Sequence, residues 1–456
     1  MYSEKSALSA KSRKSVDFPR LQLCSFMLDK TYRFGVYLKQ RKSLPKEEVI
    51  KMSRFVYADN AATTPMSESV YKAMQPYLTE FYGNPSSLYR VGREARRAMT
   101  EARMKVAKAL GAAEPNEIVF TGGGSQADNL AIRGYVKGRS AKGRKHIITS
   151  KIEHHAVLYT CEALEKEGYP VTYLNVDSQG HIDLDQLKEV ISDQTAIVSI
   201  MAANNEIGTI QDLKAISEIA HAHGAVFHTD AVQAVGHMHL DVQAMGIDML
   251  SLSGHKFRGP KGIGALYVRR GIALEPLVYG GGQERGLASG TENVAGMVGL
   301  GQAIEDATGE NLDRKMGYVK GLTDKLVEGI MKIPYTHYTG DPVNRLPGTA
   351  SFVFEAIEGE GLILRLDNAG ICGSTGSACS TGSLDPSHVL MAIGLPHEIA
   401  HGSLRLTLGE QNTPEDVDYL IEKVAEVVAG LRAMSPVWVD GKPDLSAATD
   451  LHSHHH

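Results

Sequence analysis

Lys256 has a setting that a solvated lysine does not need. The run SLSGHKFRGPKGIG, residues 251–264, places it after a Ser-Gly-His turn and ahead of Gly259, Pro260 and Gly262. Such bracing suits an amine that must meet a bound molecule at a fixed angle. Two further stretches carry complementary chemistry. TGGGSQADN, residues 121–129, is a glycine-rich turn that opens a helix, and the amides of such a turn bind phosphate. HTDAVQ, residues 228–233, puts Asp230 at the end of an apolar run.

Taken singly, each stretch has a commoner explanation: a tight turn, a helix cap, a surface lysine. Together they are the parts that a pyridoxal 5'-phosphate (PLP) site requires. The lysine supplies a Schiff base, the carboxylate keeps the pyridine nitrogen protonated and the helix end holds the phosphate.

The surrounding elements place these groups at one edge. β-branched runs at 117–121, 146–150, 171–176, 196–202, 225–231 and 248–254 read as strands. Helical patterns at 155–168 and 212–224 alternate with them. Alternation of this kind implies an α/β domain with a mostly parallel sheet, whose ligands bind beyond the carboxyl ends of its strands. From Thr291 onward two amphipathic helices, near 293–307 and 311–332, lead into a smaller α+β region ending in a helix over 414–434. The expected division is a large domain over 66–310, a small domain from 53–65 and 311–438, and a tail over 439–456.

Composition excludes several classes. The 456 residues are 43% hydrophobic and 22% charged, with a net charge of −5, so neither a basic nucleic-acid face nor a membrane-spanning run is expected. Cys24, Cys161, Cys372 and Cys379 are too irregularly spaced for a disulfide framework, and reduced thiols in the cytoplasm are the better expectation.

The ordered motifs YADNAATTP, YGNPSS, EHHAV, NNEIG, HTDAVQ, SGHKFRGPKGIG, GGGQERG, SGTENV, GSACSTGSLDPSHVL and SLRLTLG run from about Phe55 to Trp438. In them the chain resembles the NifS/IscS-type (group I) cysteine desulfurases, in the class V branch of fold-type I PLP enzymes. The resemblance implies a homodimer with a shared site that converts L-cysteine to L-alanine. It implies Lys256 as the Schiff-base residue, Asp230 at the pyridine nitrogen and His154 stacked on the ring and active in acid–base steps. Asn205 and Gln233 would lie near the phenolic oxygen, Asn205 also near substrate. Gly124, Ser125, Ser253 and His255 would bind the phosphate, with Thr291 arriving from the partner subunit. Arg405 would clamp the substrate carboxylate, a task suited to a bidentate guanidinium. Cys379 would take the sulfur as a persulfide and pass it to an iron–sulfur scaffold or another sulfur acceptor. No resident metal is implied, although Cys379 would contact an iron–sulfur cluster during transfer.

Cys379 also stands out by itself. It is surrounded by Gly, Ser, Thr and Ala, which cannot form an apolar core, and Gly373, Gly376 and Gly382 permit wide backbone excursions. Cys372 follows Asn-Ala-Gly-Ile and is expected on a strand entering the core, buried and with a raised pKa. Three positions depart from the family pattern: GGGSQADN in the phosphate turn, Ala288 where Arg is common, and Glu410-Gln411 in place of an Arg-Phe pair. They bear on substrate affinity and partner choice more than on reaction class; the rival readings are another class V reaction, such as an aminotransferase or selenocysteine lyase, and, from the altered arginine positions, a weakly active scaffold. An aminotransferase gives a glycine-flanked cysteine no role.

Residues 1–51 carry 12 Lys/Arg against 5 Asp/Glu and lack periodicity. They read as a transit segment or as sequence upstream of a start at Met52, and residues 1–52 are expected to be a disordered extension. A chain beginning at Met52 is predicted to match the full chain in melting temperature and desulfurase rate. Loss of soluble protein on truncation would show that the extension is structural.

Overall fold

The computed structural model describes residues 54–138, 141–376 and 386–444. The N-terminal extension, Cys24 and Cys379 lie outside the described residues. In chain order the elements are β1 (Val56–Tyr57), α1 (Glu68–Thr79), α2 (Arg90–Leu110), β2 (Ile118–Thr121), α3 (Gly124–Lys137), β3 (His146–Ser150), α4 (His155–Lys166) and β4 (Val171–Leu174). There follow α5 (Leu184–Val190), β5 (Thr195–Ser199), α6 (Leu213–Ala222), β6 (Val226–Asp230), β7 (Met249–Ser253), β8 (Gly264–Val268), α7 (Val294–Thr308) and α8 (Leu312–Ile330). The last are β9 (Thr336–Tyr338), β10 (Thr349–Phe354), α9 (Gly359–Asn368), β11 (Ile371–Cys372), α10 (His388–Ala392), α11 (His397–Ala400), β12 (Ser403–Thr407), α12 (Pro414–Arg432) and the antiparallel pair β13 (Trp438–Val439) and β14 (Lys442–Pro443).

Seven strands form the main sheet in the order β2-β8-β7-β6-β5-β3-β4. β8 runs antiparallel to both its neighbours, and the pairings among β3 to β7 are parallel. The sheet is thus mostly parallel, as the alternating pattern predicts. β8 is the strand that this pattern does not reveal. Its GALYV sequence follows β7 as a hairpin and is masked by the Gly-Pro-Lys-Gly turn. Gly264 allows it to fit, because a Cβ there would lie 2.5 Å from the Leu252 carbonyl oxygen and 2.8 Å from the Gly123 carbonyl carbon. Strands β5, β6 and β7 are buried at every residue, which is why their sequences are nearly continuous apolar runs rather than alternating ones.

A separate buried core joins Val56 and Ala58 of the first segment to α8, β10, α9, β12 and α12. In it β10 pairs antiparallel with both β9 and β12, and β1 pairs in parallel with β11. Leu346, although it follows α8 in the chain, packs into the core of the main sheet. Ala58 lies in the separate core and Val70 in that of the main sheet, so the segment after β1 starts in one core and crosses to the other.

A buried ion pair fixes the loop between β8 and α7. Arg103 on α2 and Glu284 meet at 2.5 and 2.8 Å, and Glu284 also accepts from the Phe120 amide at 2.8 Å. Both residues are buried. Glu284→Ala leaves the Arg103 guanidinium in the core without its partner. Denaturant titration is predicted to show a loss of about 3–5 kcal/mol. A loss under about 1 kcal/mol, the range of an exposed pair, would contradict the assignment.

Candidate active site

The carboxyl end of β7 continues into a tight turn, Gly254–Lys256, and this turn positions the lysine. Lys256 Nζ donates to the carbonyls of Ala61 and Ala62 at 2.5 and 3.0 Å. Ala61 O also accepts from Gln233 Nε2 at 2.9 Å. The crossing segment that supplies these carbonyls is itself tied down. Thr64 Oγ1 donates to the His255 carbonyl at 2.8 Å and accepts from the Arg258 amide at 2.8 Å. His255 Nδ1 meets Thr63 Oγ1 at 3.1 Å. At the other end Asn60 and Ala61 bond to Thr407 on β12. The YADNAATTP motif is therefore a strap that fixes the lysine turn from above.

Asp230 ends β6 beside this turn, buried, with Oδ1 accepting from the Val232 amide at 2.9 Å. Burial pushes its carboxyl pKa up, while His154 and Lys256 pull it down. His154 is the N-cap of α4, where Nδ1 accepts from the Ala156 amide at 3.1 Å. That bond leaves Nε2 as the protonated nitrogen of the neutral ring. Burial lowers the His154 pKa, opposed by Asp230. His255 is pushed down to about 4 by burial and by Lys256 and Lys261.

The phosphate turn has the geometry of an anion site. Gly123, at φ 152°, is the N-cap of the 14-residue α3, and no side chain caps that helix. Several other helices, α4, α5, α6, α7 and α12 among them, are capped by His, Asp, Asn or Thr. The first-turn amides at Gly124 and Ser125 thus lack a side-chain acceptor, beside buried Ser253 at the end of β7. A helix end, a strand-end lysine and a buried strand-end aspartate suit PLP, whose phosphate, aldehyde and ring nitrogen need those three groups. Thr291 is exposed on the segment ahead of α7.

Arg405 lies on β12, 4% exposed. Its Nη2 binds Asp59 at 2.9 Å and its Nη1 donates to the Asn205 carbonyl at 2.8 Å, leaving Nε without a partner. Asp59, in the strap, is thus a functional candidate that the motif contained but sequence reasoning passed over. The departure at 410–411 has a structural use. Glu410 pairs with Arg258, two residues beyond Lys256, and with Lys315 at 3.6 Å, while Gln411 donates to Asn60 at 2.8 Å.

The segment containing Cys379 is described at its two ends. Ser374 pairs with Arg405 on β12, and both Gly376 and Ser387 abut the buried Glu206. His388 Nε2 then donates to the Glu153 carbonyl at 3.0 Å, next to His154. Cys372 is on β11 as expected, but half-buried rather than buried, because that strand has only two residues and ends where the segment leaves the core. Burial, Asp367 and Asp59 raise its pKa. Among the described residues no group of three His, Cys, Asp or Glu is placed to hold a metal ion, and no helix is long and apolar enough to cross a membrane.

Two further carboxyls escaped sequence reasoning because only the fold reveals their burial. Glu206 is pushed up to about 7 by burial, against its bond from Ser387 and the charge of Arg405. Glu153, next to His154, is pushed up to about 8 by burial, against hydrogen bonds from Ser150 and Met201. A carboxyl whose folded pKa exceeds its unfolded value binds a proton on folding. Its contribution is full below about pH 4.5 and is lost as pH rises toward 8. Glu153→Gln is therefore predicted to flatten the decline in unfolding free energy between about pH 5 and 8, by up to about 1.4 kcal/mol per pH unit. An unchanged slope in the variant would contradict this.

The comparisons agree with the geometry. Residues 56–420 match the family described as Aminotransferase class-V. The chain is 55% identical over 391 residues to the cysteine desulfurase IscS of Methanosarcina thermophila, covering 86% of this chain and 96% of that protein. It is 52% identical over 392 residues to the cysteine desulfurase IscS of Clostridium botulinum, covering 85% and 98%. Among solved structures, a NifS-like protein superposes with a TM-score of 0.78 at 40% identity, covering 83% of this chain and all of that one. SspA in complex with cysteine superposes with a TM-score of 0.69 at 39% identity, covering 78% and 99%. The chain belongs to the class-V aminotransferase family and, within it, to the PLP-dependent cysteine desulfurases of fold-type I.

Proposed function

We propose that the protein takes L-cysteine to L-alanine and leaves the sulfur as a persulfide on Cys379, for transfer to an iron–sulfur scaffold or another sulfur acceptor. The observation that carries this reading is the convergence of Lys256, Asp230 and the uncapped end of α3 at one edge of the sheet. When bound, PLP draws electrons from the substrate Cα and so weakens the Cβ–S bond.

The chain's own groups do the rest. Lys256 would hold the cofactor aldehyde through its amine, and the same amine would move the proton at the substrate Cα. Asp230 holds the proton at the ring nitrogen. His154, whose Nδ1 accepts from the Ala156 amide and whose pKa is lowered by burial, would face the ring and serve in proton transfer through Nε2–H. Gln233 and Asn205 would flank the phenolic oxygen, and Gly124, Ser125, Ser253 and His255 would hold the phosphate together with Thr291 from the partner subunit of a homodimer. Arg405 receives the substrate carboxylate, with Asp59 and the Asn205 carbonyl fixing its plane. The Cys379 thiolate attacks the substrate sulfur: an S–S bond forms, the Cβ–S bond breaks, and its electron pair stays with the carbon that becomes the alanine methyl group. The anchoring of both ends of the Cys379 segment beside Glu206 and Arg405 supports this role. The cytoplasm, with its reduced thiols, is the setting that fits a persulfide carrier.

Asp230→Ala is predicted to keep some cofactor but to lose turnover by several orders of magnitude, because a neutral pyridine is a poor electron sink. Near-normal rates would exclude the proposed orientation. Cys379→Ser is predicted to bind PLP and cysteine yet release no sulfide and carry no persulfide. Cys372→Ser should turn over at a substantial fraction of the parent rate and lose about 1 kcal/mol of stability, since its thiol is only half-buried. Peptide mass spectrometry after a single turnover locates the added sulfur. Finding it on Cys372 or Cys161 would overturn the assignment.

A further inference from the structure

The lysine turn contains one residue whose conformation needs outside support. The Gly254 carbonyl accepts from the amides of Phe257 and Gly259, at 3.2 and 2.9 Å, so the backbone closes around Lys256. Arg258, inside this closed turn, has a φ of 67°, the left-handed region in which a Cβ is crowded by its own backbone. A residue other than glycine stays there only when its surroundings hold it. Part of the hold is on its backbone. The Arg258 amide donates to Thr64 Oγ1 of the strap at 2.8 Å, and its carbonyl accepts from the Ser67 amide at 3.0 Å.

The rest of the hold is on its side chain. Nη1 donates to Glu410 Oε1, and among the described residues the guanidinium meets no other acceptor, its Nε being buried and unpartnered. Relaxing φ would swing the side chain off Glu410, so the ion pair opposes that relaxation. Glu410 can do this because its own turn, between β12 and α12, is fixed. Gln411 donates to Asn60 at 2.8 Å, Asn412 Nδ2 donates to the Tyr57 carbonyl at 3.0 Å, and Tyr318 on α8 donates to the Asn412 carbonyl at 2.8 Å. Burial pushes the Glu410 pKa up, but the bond from Arg258 and the charges of Lys315 and Arg258 outweigh it, and the net shift is downward. A cavity of about 500 Å³, lined by Lys256, Arg258, Lys315 and Glu410 among others, lies on this side of the turn. Close packing is thus interrupted there, and the ion pair spans the gap.

We propose that Glu410 is a positioning residue for Lys256: by gripping Arg258 it holds the left-handed residue that closes the lysine turn. The assignment rests on the proposed role of Lys256. It gives the departure at 410 a task in the reaction, performed through the backbone of the turn and not by contact with substrate.

Hydrogen exchange on the full-length, PLP-loaded protein reads the hold on the turn without reference to activity. Glu410→Gln is expected to speed exchange of the peptide spanning 254–259 by about fivefold, the scale of one partly exposed charged hydrogen bond. Unchanged exchange overturns the proposal. In the same variant kcat for alanine formation should fall by about the same factor while KM for cysteine stays within about twofold, because Arg405 and its partners are untouched. Faster exchange with an unaltered kcat would leave Glu410 a surface ion pair and overturn the proposal, as would a loss confined to KM. Glycine adopts a φ of 67° without strain. In an Arg258→Gly background, therefore, Glu410→Gln should change neither exchange nor kcat further. An undiminished effect in that background would show that Glu410 acts by another route, and overturns the proposal as well. Borohydride labelling of the parent protein separates the two assignments. An adduct away from Lys256 sinks the reading of Lys256, whereas the hold of Glu410 on the turn is judged by the exchange rates.

Discussion

A sheet covered on both faces can expose chemistry only at the ends of its strands, and the site depends on that constraint. The fully buried strands β5, β6 and β7 deliver Asn205, Asp230 and Lys256 to one edge. An edge alone does not orient a lysine. The strap from Asp59 to Thr64 does so, by presenting two carbonyls to Nζ and clamping the flanking backbone through Thr64. Because the strap begins in the core shared with α12 and bonds to Thr407 on β12, the lysine turn and Arg405 are held by the same few residues.

The electrostatics follow from the same burial. Asp128, Glu153 and Asp230 are withdrawn from water near one another, Glu206 is buried beside Ser387 and Arg405, and each has its pKa raised. A carboxylate without a partner is costly in such a place, so protons or cations must be shared among them. Lys256, His154 and Arg405 are the cations or proton carriers within reach, and Arg405 is already bound to Asp59. In the function we propose, a substrate carboxylate reaching Arg405 would compete with, or add to, this existing ion pair. Glu410 draws Arg258 and Lys315 toward itself, so this departure from the family pattern neutralises cations next to the lysine turn.

Much of this was legible in the sequence. Strand-end groups separated by apolar runs gave Lys256, Asp230 and the phosphate turn, because burial on both faces erases alternation and leaves punctuation at the ends. β8 was not legible: its five residues follow a glycine-rich turn and carry no alternation of their own. Glu153 and Asp128 were invisible for a different reason, since an acid in a polar stretch reads as exposed until the fold closes over it. Cys372 was placed correctly on a strand, yet its burial was overstated, since a two-residue strand shields only part of a side chain.

Lys256, held by the strap, is the residue we propose binds the cofactor. Borohydride reduction of the PLP-loaded protein, followed by peptide mass spectrometry, measures this directly. The adduct is expected on the peptide containing Lys256 and on no other. An adduct on Lys261, Lys315 or any other lysine would contradict the account.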